Sequence, residues 1–187
     1  MCTRRTLAAM LCVFLAACSS SRFGRKFDYS FSRLIVVEGG YVNDPVDRGG
    51  ETKYGISKRS YPDIDIKNLT LDQAKGIYYK DFWLKTKLDC VRNYEVASKL
   101  LDIAVNFGPE RAYEIAQRAL RSAYRDPHLL DGVEDWDTLV RFANNVPSNE
   151  AFLAALRSEQ AAAYREIVSR REPMNKFLNV WMNRAYK

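Results

Sequence analysis

Glu38 and Asp47 are carboxylates nine positions apart, at the start and middle of a stretch from Glu38 to Ile56 that is dense in Gly, Asp and Tyr. Two carboxyl groups facing each other across a turn suit glycosidic hydrolysis. One, protonated, serves the leaving oxygen; in an inverting enzyme the other, ionised, activates water from the opposite face, at a separation of roughly 6.5–9.5 Å. The neighbours predict unequal acidity. Glu38 closes an apolar segment, Leu34 to Val37, where the negative end of a helix dipole and the apolar Val36, Val37 and Tyr41 favour the neutral form. Asp47 stands beside Arg48 among glycines, which favours the charged form. Thr52 is placed to hold the attacking water, while Tyr41, Asn43 and Tyr54 border the acids and suit stacking or hydrogen bonding to a sugar. The alternative is structural: Glu38 packs at a helix end, Asp47 shapes a turn, and the three flanking residues pack the loop onto the helices.

The elements that must position these groups follow from periodicity. Phe27, Phe31, Leu34 and Ile35 recur on one helical face, and Gly39-Gly40 supplies the stop, so Glu38 falls in the last turn. Asn43-Asp44-Pro45 and Asp47-Arg48-Gly49-Gly50 are turn signals, predicting a loop or a short irregular β-hairpin over Tyr41 to Ile56. Thr70-Leu71-Asp72-Gln73 is a capping box opening a helix to about Trp83, with Ala74, Ile77, Tyr78 and Phe82 inward. Asn93 caps a helix to Phe107, and Glu110 to Tyr124 is the clearest amphipathic segment. Asp126-Pro127 and Asp131-Gly132 mark a long loop. Helices over Thr138 to Asn144, from Ser148 to about Arg171 and from Met174 to Ala185 complete a mainly α chain with one small hairpin.

Composition narrows the function classes. With 187 residues, 47% hydrophobic and 28% charged, the chain is long and apolar enough to bury a core. A net charge of +6 suits an acidic partner such as a cell wall or membrane surface. No dense Lys/Arg block interleaved with aromatics appears, so a nucleic-acid partner is not expected. His128 is the single histidine, too few for a zinc peptidase, and no phosphate-binding glycine loop or other cofactor signature occurs. Cys90 stands alone in the body of the chain and is expected to be a small buried apolar residue rather than a nucleophile paired with His128.

Arg4 and Arg5 precede the apolar run Leu7 to Ala17, which is shorter than the ~20 residues of a membrane-spanning helix and has the order of a secretory signal. Leu15-Ala16-Ala17-Cys18 resembles the bacterial lipobox, and Ser19-Ser20-Ser21 begins a polar tether. The resemblance implies removal of residues 1–17, a lipid on Cys18 and, with Ser19 following, placement at the outer membrane on the periplasmic side.

The run from Glu38 to Ile56 resembles the signature of glycoside hydrolase family 108, the phage-type N-acetylmuramidases. Asp102-Ile103-Ala104-Val105-Asn106-Phe107-Gly108 and Gln117-Arg118-Ala119-Leu120 are similar to that family's second and third motifs. The resemblance implies a lysozyme-like helical domain over residues 27–125, with tether 18–26 before it, and peptidoglycan as substrate. It implies Glu38 as the catalytic glutamate, with Asp47 and Thr52 as the partners used by phage-type lysozymes. Four residues separate Thr52 from Asp47, one fewer than in those lysozymes. The region 126–187, through Arg157, Tyr164-Arg165 and Phe177 to Arg184, resembles the peptidoglycan-binding region of relatives, although Val180 stands where they carry glycine. A non-catalytic wall-binding lipoprotein or virion component on the same scaffold is the alternative function. No protein partner is expected.

Overall fold

The computed structural model describes residues 22–35, 40–43, 50–125, 134–170 and 172–187. Glu38, Asp47, Cys18 and His128 lie outside the described residues. Among the described residues there are seven α-helices and one two-stranded antiparallel hairpin. The helices are α1 (Arg25–Ile35), α2 (Leu71–Tyr78), α3 (Tyr94–Phe107), α4 (Pro109–Tyr124), α5 (Trp136–Ala143), α6 (Asn149–Arg170) and α7 (Leu178–Tyr186). The strands are β1 (Thr52–Lys53) and β2 (Ile56–Ser57). The mainly α class with one small hairpin, expected from the sequence, holds.

Local chemistry sets the helix ends. Thr70 and Gln73 form the reciprocal capping box ahead of α2, and Asn93 accepts from the Val96 amide at the start of α3. The expected helix to Trp83 keeps its length but changes winding: after Tyr78 it continues as a π-helix over Tyr79–Leu84. Gly108, at φ +81°, joins α3 to α4, a backbone angle that side chains disfavour, and Pro109 takes the first helical position, where no amide is missed.

The centre of the molecule is α3. Its Val96, Leu100, Leu101, Ile103 and Ala104 have no accessible surface. α1 packs on one side through Phe27, Phe31 and Leu34; α4 and α6 cover the other. α6, about 33 Å long at its 22 residues, also carries α7. Phe152 and Leu156 of α6 join the same core as Phe27 and Trp83, so the segment after Tyr124 shares one interior with the segment before it. Between α6 and α7 lies a smaller aromatic stack. Trp181 lies parallel to Tyr164 at 5.2 Å and to Phe177 at 5.8 Å, with Phe177 partly exposed. Trp181 and Tyr164 are therefore packed, as a helical aromatic stripe usually is.

Cys90 departs from expectation. It is exposed, not buried, because the 3-10 turn Leu88–Cys90 repeats every three residues and turns Leu88 and Val91 inward instead. Partial desolvation of the sulfur, then the adjacent Asp89 carboxylate 3.7 Å away, raises its thiol pKa, the opposite of nucleophile activation.

Candidate active site

The described part of the signature stretch is a small antiparallel platform. Thr52 and Val42 exchange backbone hydrogen bonds of 2.8 Å each way, and Thr52 also pairs with Ser57 across the hairpin. Strands on both sides therefore hold the Thr52 backbone. Among the described residues its hydroxyl makes one long contact, donating to the Gly50 carbonyl at 3.4 Å, which leaves acceptor capacity for a bound molecule.

A two-residue turn of Tyr54 (φ +52°) and Gly55 (φ +75°) closes the hairpin, the doubly left-handed geometry that matches strand twist. Glycine adopts it freely, but a tyrosine there is strained by about 1–2 kcal/mol. Packing offsets this cost. The Tyr54 ring lies half-buried against the core with Lys53 Nζ 5.5 Å from its centroid, and its carbonyl accepts from the buried Tyr78 hydroxyl at 2.8 Å. Tyr54 thus anchors the hairpin to α2, the structural role weighed for it from the sequence.

Tyr41 and Asn43 remain on the open side. Tyr41 is 39% exposed, and its hydroxyl donates to Glu51 Oε1 at 3.1 Å. Partial burial and then Glu51 raise its pKa, while the Asn43 side chain at the same hydroxyl lowers it. Tyr41, Asn43 and Glu51 thus form one polar cluster.

Beside the hairpin lies an open cavity of about 410 Å³, within the range of small-molecule sites. Gly55 and Ile56 form one wall, Val105 and Pro109 at the α3–α4 junction another, and Tyr61 and Asp81 supply polar groups. Tyr61 donates to Asp81 Oδ2 at 3.0 Å. Burial first, then this carboxylate, push the tyrosine hydroxyl well above its ordinary range. Lys85 lies 3.8 Å from the other Asp81 oxygen. Glu51 and Asp81 are the carboxylates that sequence reasoning left without a role. Glu51 sits inside the signature stretch. Asp81 has no signal in the sequence; it stands on a π-helical turn, a winding that recurs at functional sites.

Comparison with known proteins bears on the same segment. The model of the family described as Glycosyl hydrolase 108 matches residues 31–108, from α1 through the hairpin to the end of α3. The search of curated proteins finds no match. Among solved structures, that of Brucella abortus SagA superposes with a TM-score of 0.58 at 21% identity, covering 86% of this chain and 93% of its own, a likeness of fold. From the end of α1 through the hairpin, α2 and α3 the chain is therefore similar to Glycosyl hydrolase 108 proteins, which supports a glycoside hydrolase.

Proposed function

We propose that the protein is an N-acetylmuramidase that cleaves the bond between N-acetylmuramic acid and N-acetylglucosamine in peptidoglycan. The observation that carries this reading is the family match over residues 31–108, which contains Glu38, Asp47 and Thr52 in the order of the phage-type signature. Glu38 protonates the leaving oxygen. Asp47, ionised, and Thr52 orient the water, with inversion at the anomeric carbon. The half-satisfied Thr52 hydroxyl, on a backbone held from both sides, fits the water-holding role. Tyr41 and Asn43 provide an exposed polar edge for the glycan.

The same reading places the enzyme in the cell envelope. Residues 1–17 act as a signal and Cys18 carries a lipid that anchors the protein to the outer membrane, while the region 126–187 adds contact to the wall. Mass spectrometry of the mature N-terminus tests the anchor: an acylated Cys18 is expected, and an intact leader contradicts it.

The bond cleaved is tested by digesting purified sacculi, reducing with borohydride and analysing the sugars. Muramitol is expected. Glucosaminitol would assign the cut to the other glycosidic bond, and new amino groups without either alditol would point to a peptidase.

A further inference from the structure

A second cavity, of about 340 Å³, opens where α1, α3, α6 and α7 meet. Leu34 and Leu153 give it an apolar part, and Lys99, Asp102, Arg157 and Arg184 give it a charged one. Asp102 is already engaged. It accepts from Arg184 Nε at 2.8 Å and from Gln160 Nε2 at 2.8 Å, with Lys99 Nζ 3.7 Å away. Lys99 is only 7% exposed and also donates to the Arg184 carbonyl at 3.2 Å. Two cations, Lys99 and Arg184, and one neutral amide thus share a single carboxylate. At the rim, Glu95 is taken by Arg33 and by the Tyr29 hydroxyl.

Arg157 is the group left over. Its Nε is buried without a hydrogen-bond partner, Nη2 makes one long contact of 3.4 Å to the main-chain oxygen of Lys187, and no side-chain carboxylate among the described residues pairs with it. A buried guanidinium nitrogen without an acceptor is costly, and an incoming carboxylate relieves that cost. Charge, an unfilled donor and an apolar wall together describe a site for a carboxylate attached to a short aliphatic group.

Position argues for the source of that carboxylate. Leu34, in the cavity wall, precedes Glu38 by four residues, and four residues span at most about 14 Å even when extended. Peptidoglycan bears on its muramyl sugar a short peptide with alanine methyl groups and several free carboxylates, within that distance of the scissile bond. We propose that the Arg157 cavity is a subsite for the peptide stem of peptidoglycan, with Arg157, Lys99 and Arg184 receiving a stem carboxylate and Leu34 and Leu153 an alanine methyl. The stem assignment rests on the muramidase reading; the carboxylate site does not.

Calorimetric titration of the purified full chain with a free stem tetrapeptide, its fully amidated form and inorganic phosphate separates the possibilities. The tetrapeptide is expected to bind. The amidated peptide and Arg157→Gln are each expected to weaken binding roughly tenfold or more, with Arg157→Lys recovering part of the loss. Phosphate binding as tightly as the tetrapeptide would mark a general small-anion site and overturn the stem assignment. Undiminished binding of the amidated peptide to the wild type, which needs no variant to fold, overturns the carboxylate site itself, as does absence of tetrapeptide binding. Stem binding by a protein that releases no sugar reducing ends from sacculi would leave the subsite standing and remove the muramidase reading instead.

Discussion

Thr52 separates chemistry from scaffold more cleanly than any other described residue of the signature stretch. Its backbone is paired to Val42 on one side and Ser57 on the other, so exchanging its hydroxyl for a methyl leaves the platform in place. Thr52→Val is expected to change stability by no more than about 0.5 kcal/mol. Loss of an oriented water should lower the initial rate on sacculi roughly tenfold to a hundredfold. Reducing-end assays alongside thermal melts check both parts, and an unaltered rate would exclude Thr52 as the water-holder. What was legible at this scale was linear. Glu38, Asp47 and Thr52 stand out because their signature is contiguous, and Tyr41 and Asn43 because they flank it. The role of Asp81 was not legible, because the cavity that joins it to Tyr61 and Gly55 exists only after α2 packs under the hairpin. Cys90 is exposed where a lone apolar cysteine is expected to be buried, because a three-residue turn faces Leu88 and Val91 inward instead.

The hairpin is the element on which the site depends, and α2 holds it. The link is the hydrogen bond from the buried Tyr78 hydroxyl to the carbonyl of Tyr54, a residue already strained by its left-handed backbone. Tyr78→Phe keeps the ring but leaves that carbonyl without this donor, at an expected cost of about 1–2 kcal/mol. The hairpin should then open more readily. Amide hydrogen exchange at Thr52 and Lys53 is predicted to accelerate more than exchange in the middle of α3, and a uniform acceleration would show that Tyr78 serves only global stability. At this scale the sequence is explicit at the caps Thr70-Gln73 and Asn93, but not at Asp135, which caps α5 ahead of its expected start at Thr138. It did not reveal the π-helix after Tyr78, since apolar periodicity specifies a helical face and length but not a shift of one residue in hydrogen-bond register.

At the scale of the molecule, α6 ties the end of the chain into the core around α3 and places charged groups in the seam with α1 and α7. Lys99 records that placement. Burial lowers its pKa from 10.5 to about 8, with Arg157 and Arg184 acting in the same direction and Asp102 opposing them. Between pH 8 and 10.5 the unfolded chain holds this proton while the folded chain has released it. The unfolded state then binds more protons, and stability rises with pH. The penalty of a buried ammonium is fully present below about pH 8 and fades as pH climbs through that window. The melting temperature of the wild type relative to Lys99→Met is therefore predicted to increase from pH 7.5 to pH 10. A difference independent of pH would show that Lys99 titrates at its ordinary value. None of this was readable from order along the chain, because Arg33, Lys99, Arg157 and Arg184 meet only through packing.

The most direct test of the central claim is the release of reducing ends from purified sacculi by the wild type and by Glu38→Gln. The amide keeps the size of the side chain but cannot give a proton to the leaving oxygen. Sustained release by the wild type, with a loss of roughly a hundredfold or more in a Glu38→Gln variant of unchanged melting temperature, is predicted. Equal release by both proteins, or none from either, would contradict the assignment of Glu38 as the catalytic acid of a muramidase.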